Sequence, residues 1–522
     1  MNREPPAIRA TWPASQELGV LGLLLLVGLL LRFPFVFPAV IDWDESTFVL
    51  IGQSLVDGHL PYVELWALKP PLAFAFFGVV IAVFGKNLVA IRLAGAMCVV
   101  VTAFLTYLIA SRLMNRGVGL VAALLSVATV SLLPSGQATM TEHVALVPLT
   151  AALWLLIRRE PSVRTYFVAG VLLSVATLVR LNMAYVAILV GLYVAIVRDG
   201  RRPLRAVQYA GAYAAGGASI VALTWLPYFL MNEQELWWTS VVAAPLNYAG
   251  KSSVVANLIT HSMTALGLYN DGRGFRFLGA FLIPFVSLAA AGGVAVLATR
   301  WNARQDERPG IALLALFMTG VGLGIVTSGD PYGHHLIQLA PFAAMLAAMC
   351  VGQFSGFVRL GLLLYMGALT VVSITPVAAE YTAAISRALA HQTLRYGAAY
   401  EIAAYLNHEN PSRRPVYLMS DHIAYWFADL RPPTKLTTHP SNIGEQSLIE
   451  AVVGEGASTS EELRKVFRQK PEFVVVPERV FYLQREPMRL LEDILSAEYV
   501  LVTQIQGRKI YRIRSAATID VA

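Results

Sequence analysis

Apolar residues in this chain come in long blocks separated by short polar stretches. The blocks run roughly over 18–37, 88–110, 118–134, 144–157, 166–179, 183–197, 206–230, 277–298, 310–327, 336–353 and 359–378. A helix that is apolar all round is buried in protein or in lipid, and about 20 such residues cross the hydrocarbon of a bilayer. The pattern therefore predicts a mainly α, polytopic membrane protein with about 11 transmembrane helices. A further block, "PLAFAFFGVVIAVFG" at 71–85, is shorter and opens on Pro71 directly behind Lys69 and Pro70.

The arginines decide where that short block lies. If it rests in the outer interface, Arg3 and Arg9 fall on one side with Arg112, Arg116, Arg158, Arg159, Arg164, Arg198, Arg201, Arg202, Arg205, Arg300, Arg304, Arg308 and Arg359. The opposite loops then hold Lys69, Lys86, Arg180, Lys251, Arg273 and Arg276 across longer stretches. Cytoplasmic loops are enriched in Lys and Arg, so the N-terminus is inside and 71–85 is an interfacial or re-entrant helix of the first outer loop, 38–87. Glu142, Arg180, Arg273 and the pair His334–His335 then open on the same outer face.

After residue 379 the pattern changes. Residues 395–409 have helical spacing, "PVYLMS" (415–420) and "EFVVV" (472–476) read as buried strands, and 498–514 reads as two strands turning near Gly507. Ser458 and Glu461 have the spacing of a capping box. The division expected is a membrane domain, 1–379, and a small extracytoplasmic α/β domain, 380–522. The second is expected to be a non-catalytic cap that folds alone, since no metal motif, phosphate loop or nucleophile elbow stands in it.

Composition agrees. The chain has 522 residues, 56% hydrophobic and 14% charged, where soluble domains carry about 25% charged residues. The net charge of +7 comes from arginines in short loops, which suits orientation in a bilayer and argues against nucleic acid as a partner. Both cysteines, Cys98 and Cys350, sit in apolar blocks and imply no disulfide framework.

The candidate chemistry lies in "IDWDESTF" (41–48) and "WALKPPL" (66–72). Asp42, Asp44 and Glu45 form either a hydrated loop, a pair of oxygen ligands for a divalent cation at Asp42 and Asp44, or a general base for a hydroxyl. Lys69 either snorkels to headgroups or meets a phosphate oxygen with its compact charge. Arg180 pairs either with an anionic ligand or with Glu142 or Asp44. The adjacent His334 and His335 face different sides of a helix, which is poor metal-ligand spacing, and leaves hydrogen bonding at the interface or contact with phosphate or acceptor. Trp225, Tyr228, Trp237 and Trp238 are expected in an interfacial aromatic belt.

Residues 42–96 resemble the first-loop signature of the GT-C glycosyltransferases. The similarity is greatest to the group holding protein O-mannosyltransferases, aminoarabinose transferases of lipid A and RgtA/B/C/D-like bacterial enzymes. The matching residues are Asp44–Glu45, Gly58, Pro61, Lys69–Pro70–Pro71, Phe84–Gly85 and Arg92–Leu93. The resemblance implies an inverting transfer of a hexose or pentose from a polyprenyl-phosphate donor to a glycan, lipid or protein acceptor at the outer face of a bacterial inner membrane. Lipopolysaccharide or other envelope-glycan synthesis is the expected setting. It implies a catalytic role for Asp44 and Glu45, with Asp44 as base. Lys69 would bind the donor phosphate, helped by Arg180, His334 and His335, and Glu142 is the second acidic position. In the aminoarabinose transferases an arginine follows the acidic pair and a glutamate precedes the lysine; here Thr47 and Leu68 stand there. Two other classes are the alternatives, a lipid-linked glycan polymerase or ligase, which would share the outer-face basic residues, and a transporter or flippase. The second would place its ionisable groups near the midplane, often in repeated halves.

Overall fold

The computed structural model describes residues 14–158, 161–196, 203–249, 253–266, 282–303, 305 and 307–514. Arg3, Arg9, Arg159, Arg198, Arg201, Arg202, Lys251, Arg273, Arg276 and Arg304, used above to orient the chain, lie outside the described residues.

Among the described residues sixteen α-helices precede the C-terminal part: α1 (Ala14–Arg32), α2 (Trp43–Val56), α3 (Pro71–Phe84), α4 (Leu88–Leu113), α5 (Arg116–Leu132), α6 (Thr141–Leu156), α7 (Val163–Val179), α8 (Ala184–Ile196), α9 (Pro203–Leu230), α10 (Gln234–Trp238), α11 (Ala244–Ala249), α12 (Val254–Ala265), α13 (Leu282–Ala303), α14 (Arg308–Val326), α15 (Ala340–Val351) and α16 (Gly356–Ser373). A helix stands at each of the apolar blocks read from the sequence. Among the described residues six of them, at 15–36, 88–113, 203–230, 282–302, 308–326 and 356–373, are long and apolar enough to cross a membrane, and the chain is a multi-pass membrane protein. Helices α5, α6, α7, α8 and α15 are shorter. Much of the length of α5, α6, α7 and α15 is buried against neighbouring helices, so protein shields what lipid would otherwise have to cover; α8 buries one face only, through Val186, Val190, Tyr193 and Val194.

Two elements of the first outer loop carry the candidate chemistry. Asp42 caps α2 by accepting the Asp44 amide. Pro70 and Pro71 start α3, where a missing N–H costs nothing. The two helices cross at Gly52 and Gly78. A methyl group on Gly52 would stand 2.7 Å from Phe77 Cβ, so the small residues allow the close approach that brings the start of α2 to the residue preceding α3. Phe48, Phe74 and Phe77 fill the space between them.

Helix α17 (Thr375–Leu389) spans residue 379 and leads to the C-terminal part, which adds α18 (Ala398–Glu409), β1 (Val416–Leu418), α19 (Ile423–Phe427), α20 (Pro440–Gly444), α21 (Gln446–Val453), α22 (Thr459–Arg468), β2 (Phe473–Pro477), α23 (Arg485–Glu498), β3 (Tyr499–Ile505) and β4 (Arg508–Ile513). The strand order is β1-β2-β4-β3, with β1 parallel to β2 and the other pairs antiparallel. Ser458 Oγ accepts the Glu461 amide at the start of α22.

The expected free-standing cap is not what the packing shows. One face of its sheet, with Tyr417, Val474 and Val476, packs with α22 and α23 in a core of its own. The other face, with Val416, Leu418, Phe473, Val475 and Ile510, belongs to a core shared with Phe48, Phe77, Tyr62 and Trp66 of the first outer loop. Tyr228 and Trp237, expected in an aromatic belt, are buried in that same core. Tyr228 donates to the Pro61 carbonyl at 3.1 Å, so the phenol serves the loop. Trp238 is exposed.

Candidate active site

The start of α2 organises the site. Both oxygens of Asp42 are engaged. Oδ1 accepts the Asp44 amide at 2.8 Å, and Oδ2 accepts from Ser135 Oγ. Burial, and next the charge of Asp44, push the Asp42 carboxyl above the usual carboxylate range. Asp44, one residue into the helix, points the other way. Its Oδ2 lies 3.5 Å from Lys69 Nζ, and its Oδ1 lies 3.1 Å from His439 Nε2. Burial alone would raise its pKa, but Lys69 and then His439 and His334 outweigh it and hold the carboxyl well below the usual range. Lys69 is fixed from behind, where Tyr62 donates to its carbonyl at 2.6 Å, and its ammonium lies 5.7 Å from the centre of the Phe48 ring.

Glu45 is adjacent in sequence but sits in a different environment. It is buried, with Arg92 Nη2 at 2.7 Å and Nε at 3.1 Å from Oε2, and the Thr139 amide donates to Oε1 at 2.7 Å. Arg92 also donates to the carbonyls of Phe35 and Pro38. The pair ties α2 to α4 and to the chain leaving α1. The Glu45 oxygens are engaged by Arg92 and by the Thr139 amide.

A second cluster forms where α6, α7 and the 333–338 turn meet. Arg180 Nη2 lies 3.0 Å from Glu142 Oε1, and Nη1 donates to Thr141 at 3.1 Å. His334 Nε2 reaches Glu142 Oε1 at 3.7 Å, and its ring stacks on Tyr332 at 5.4 Å. His335 faces away, with Nδ1 3.1 Å from Ser328 Oγ and its ring against His261 at 5.6 Å. The two clusters adjoin, since His334, which reaches Glu142, is also near enough to Asp42 and Asp44 to favour their ionised forms when it carries a proton. The structure thus brings Asp44, Lys69, Glu142, Arg180 and His334 to one place. It sets Glu45 to one side and turns His335 toward Ser328 and His261.

The cation reading of Asp42 and Asp44 fares less well. Their carboxylates diverge, one taken up by Ser135 and the helix amide and the other by a lysine and a histidine. Among the described residues no three His, Cys, Asp or Glu come together to hold a metal. As arranged, the donors do not fit a divalent cation.

The sequence reading missed His439. It lies in the part expected to carry no site residue, 395 positions from Asp44 along the chain, and no local pattern marks it. Its neighbours explain how it arrives. Thr47 donates to the Thr438 carbonyl at 2.8 Å, Thr438 donates to the Trp66 carbonyl at 2.7 Å, and Asn442 donates to the same carbonyl at 2.9 Å. The 434–444 segment is thereby laid along the first outer loop.

A family model described as dolichyl-phosphate-mannose-protein mannosyltransferase matches residues 68–243. No curated protein sequence matches the chain. Among solved structures, the chain is similar to ArnT from Cupriavidus metallidurans bound to undecaprenyl phosphate, with a TM-score of 0.59 and 14% identity over 96% of this chain and 98% of that one. It is also similar to the archaeal oligosaccharyltransferase AglB from Archaeoglobus fulgidus in complex with an inhibitory peptide and a dolichol-phosphate. There the TM-score is 0.51 at 10% identity, covering 97% of this chain and 75% of that one. At such identities the likeness is one of fold, and the fold is of the GT-C type expected from the first loop.

Proposed function

We propose that this protein is an inverting glycosyltransferase that moves a sugar from a polyprenyl-phosphate donor to an acceptor hydroxyl at the outer face of a bacterial inner membrane. The observation that carries the reading is the meeting of Asp44 and Lys69 at 3.5 Å, beside Arg180 and His334. An anionic group that needs a cation and a hydroxyl that needs a base would both be served there. The shared fold with one structure bound to undecaprenyl phosphate and another holding a dolichol-phosphate supports that choice of donor.

The step is a direct displacement. The acceptor oxygen attacks C1 of the sugar, the C1–O bond to phosphate breaks, and polyprenyl phosphate leaves with the electron pair. The hydroxyl proton passes to Asp44. Lys69 and Arg180 stabilise the charge gathering on the phosphate. Lys69 has a second effect. In the absence of donor it depresses the basicity of Asp44; once it turns to the phosphate, that depression is relieved. The carboxylate becomes a better base when the donor is in place.

The test is transfer by the purified protein in detergent from a panel of polyprenyl-phosphate-linked hexoses and pentoses, with short glycan, lipid and peptide acceptors. The expected product has the anomeric configuration opposite to the donor. Asp44→Asn should keep polyprenyl-phosphate binding while turnover falls about 10²–10⁴-fold, the usual contribution of a positioned base. Lys69→Ala should weaken that binding as well as slow transfer. Normal turnover in folded Asp44→Asn, or a retained configuration, would overturn the reading.

A further inference from the structure

Asp44 is held from two directions. Lys69 belongs to the first outer loop, and His439 arrives from the C-terminal part. The histidine is itself fixed. Its Nδ1 accepts the Ser441 amide at 3.1 Å, where it caps α20. A ring nitrogen that accepts from an amide carries no proton, so in the neutral imidazole the N–H is at Nε2, the atom 3.1 Å from Asp44 Oδ1. His439 therefore donates to the carboxylate, and the cap residues around it set the direction of that donation. The segment that carries it is fastened on both sides of the histidine by Thr438 and Asn442, each donating to the Trp66 carbonyl. A second clamp lies nearby, where Phe481 stacks on Trp43 at 5.5 Å with the rings 11° from parallel. The bonds at 438, 439 and 442 thus converge on the first turn of α2 and the residues just before Lys69.

This arrangement matters because the two partners of Asp44 differ in what a donor does to them. A phosphate competes for Lys69. It competes less strongly for a neutral N–H already committed to a carboxylate than for an ammonium. When the lysine turns away, the side chain that keeps Asp44 from rotating is His439, among the described residues. A neutral donor also leaves the carboxylate more basic than a second cation would.

We propose that His439 is a positioning residue for the transfer reaction, through which the C-terminal domain orients the Asp44 carboxylate while the donor phosphate occupies Lys69. The proposal rests on the glycosyltransferase reading above. It makes the C-terminal part a constituent of the catalytic site, where the sequence suggested a cap with no part in the chemistry.

Three substitutions separate this role from a structural one. Asn at 439 can still cap α20, because short amides are good N-caps, but it is too short to reach Asp44. Gln places its amide N–H near the position of Nε2. Ala removes both bonds. His439→Asn should fold with an unchanged melting temperature and bind polyprenyl phosphate as the wild type does, while kcat falls about 10–100-fold, the range spanned by a hydrogen bond to a charged group. His439→Gln should recover most of that kcat. Adding His439→Ala to Asp44→Asn should slow transfer no further than Asp44→Asn alone. The probes are undecaprenyl phosphate for binding and, for turnover, whichever polyprenyl-phosphate sugar the wild type accepts. The inference is overturned if folded His439→Asn keeps wild-type kcat, if Gln is no better than Asn, or if the double variant is slower than Asp44→Asn. A wild type that transfers from no polyprenyl-phosphate donor, or an Asp44→Asn variant of normal turnover, would instead count against the glycosyltransferase reading itself.

Discussion

Glu45 and Arg92 offer a test of which acidic residue in "DWDE" does chemistry and which holds the site together. Consider Arg92→Met, which keeps most of the length of the side chain and removes the guanidinium. Glu45 then loses its ion pair and keeps the Thr139 amide as its hydrogen-bond donor. The carbonyls of Phe35 and Pro38 lose a donor as well. Both members of the pair are buried, at 2% relative exposure. Breaking a buried ion pair from one side costs about 3–5 kcal/mol, because it leaves an uncompensated charge away from water. Against a typical total of about 5–15 kcal/mol, the variant should lose a large share of its stability. The assay is thermal unfolding in detergent, read beside turnover per folded molecule. Glu45→Gln, which removes the charge but keeps the shape, should also lower the melting temperature and should slow the folded fraction far less than Asp44→Asn does. A double change, Glu45→Leu with Arg92→Leu, should be less damaging than Arg92→Met, since no lone charge remains. An unchanged melting temperature in Arg92→Met would refute the structural reading. A Glu45→Gln protein of normal stability and no turnover would return Glu45 to the chemistry.

Two other expectations follow from orientation and from burial. Reporters fused after Arg116 and after Ala379 should read cytoplasmic and extracytoplasmic respectively, and finding both on one side would break the eleven-span topology on which the outer-face site depends. His422 is buried, and that burial, with His439 next, lowers its pKa from 6.5 to about 3. The unfolded chain then binds the proton more tightly between those values. The histidine's contribution to stability is complete above about pH 6.5 and is lost as pH falls toward 3, at up to about 1.4 kcal/mol per pH unit. Replacing it with Phe should flatten the pH dependence of unfolding between pH 6.5 and 4; an unchanged slope would exclude His422 as its source.

What could be read in advance followed from local pattern. The membrane helices announce themselves by apolar blocks, the cap at Ser458 by its spacing, and the first-loop residues by acids and a lysine placed beside prolines. Two things were out of reach. The different fates of Asp44 and Glu45 depend on the helical turn between them, which aims one at Lys69 and the other at Arg92. Adjacent residues on a helix point about 100° apart, so two neighbouring acids cannot share one role, yet the sequence does not say which faces the cleft. His439 depends on a contact across most of the chain, and long-range contacts leave no local trace.

The shared core leads to a last expectation, opposite to the one drawn from sequence. Composition after residue 379 is that of a soluble α/β unit, and on that ground 395–522 should fold alone. The strands argue otherwise. Along β1 and β2 successive residues alternate between two cores. Tyr417, Val474 and Val476 face α22 and α23, whereas Val416, Leu418, Phe473 and Val475 face the core shared with the first outer loop. Ile423, Trp426 and Leu448 are buried in that shared core as well. Each such side chain left in water forfeits about 1.5–3 kcal/mol of burial. A few of them exceed what a unit of this size has to spare. Expressed alone, 395–522 should protect the amides facing α22 and α23 from hydrogen exchange, lose protection in α18 and α19, and bind a dye that reports exposed apolar surface. Adding the first outer loop, 38–87, as a fused segment should reduce dye binding. Cooperative unfolding of the isolated fragment, with α18 protected and no dye bound, would show that the cap is independent and that the shared core is mere contact.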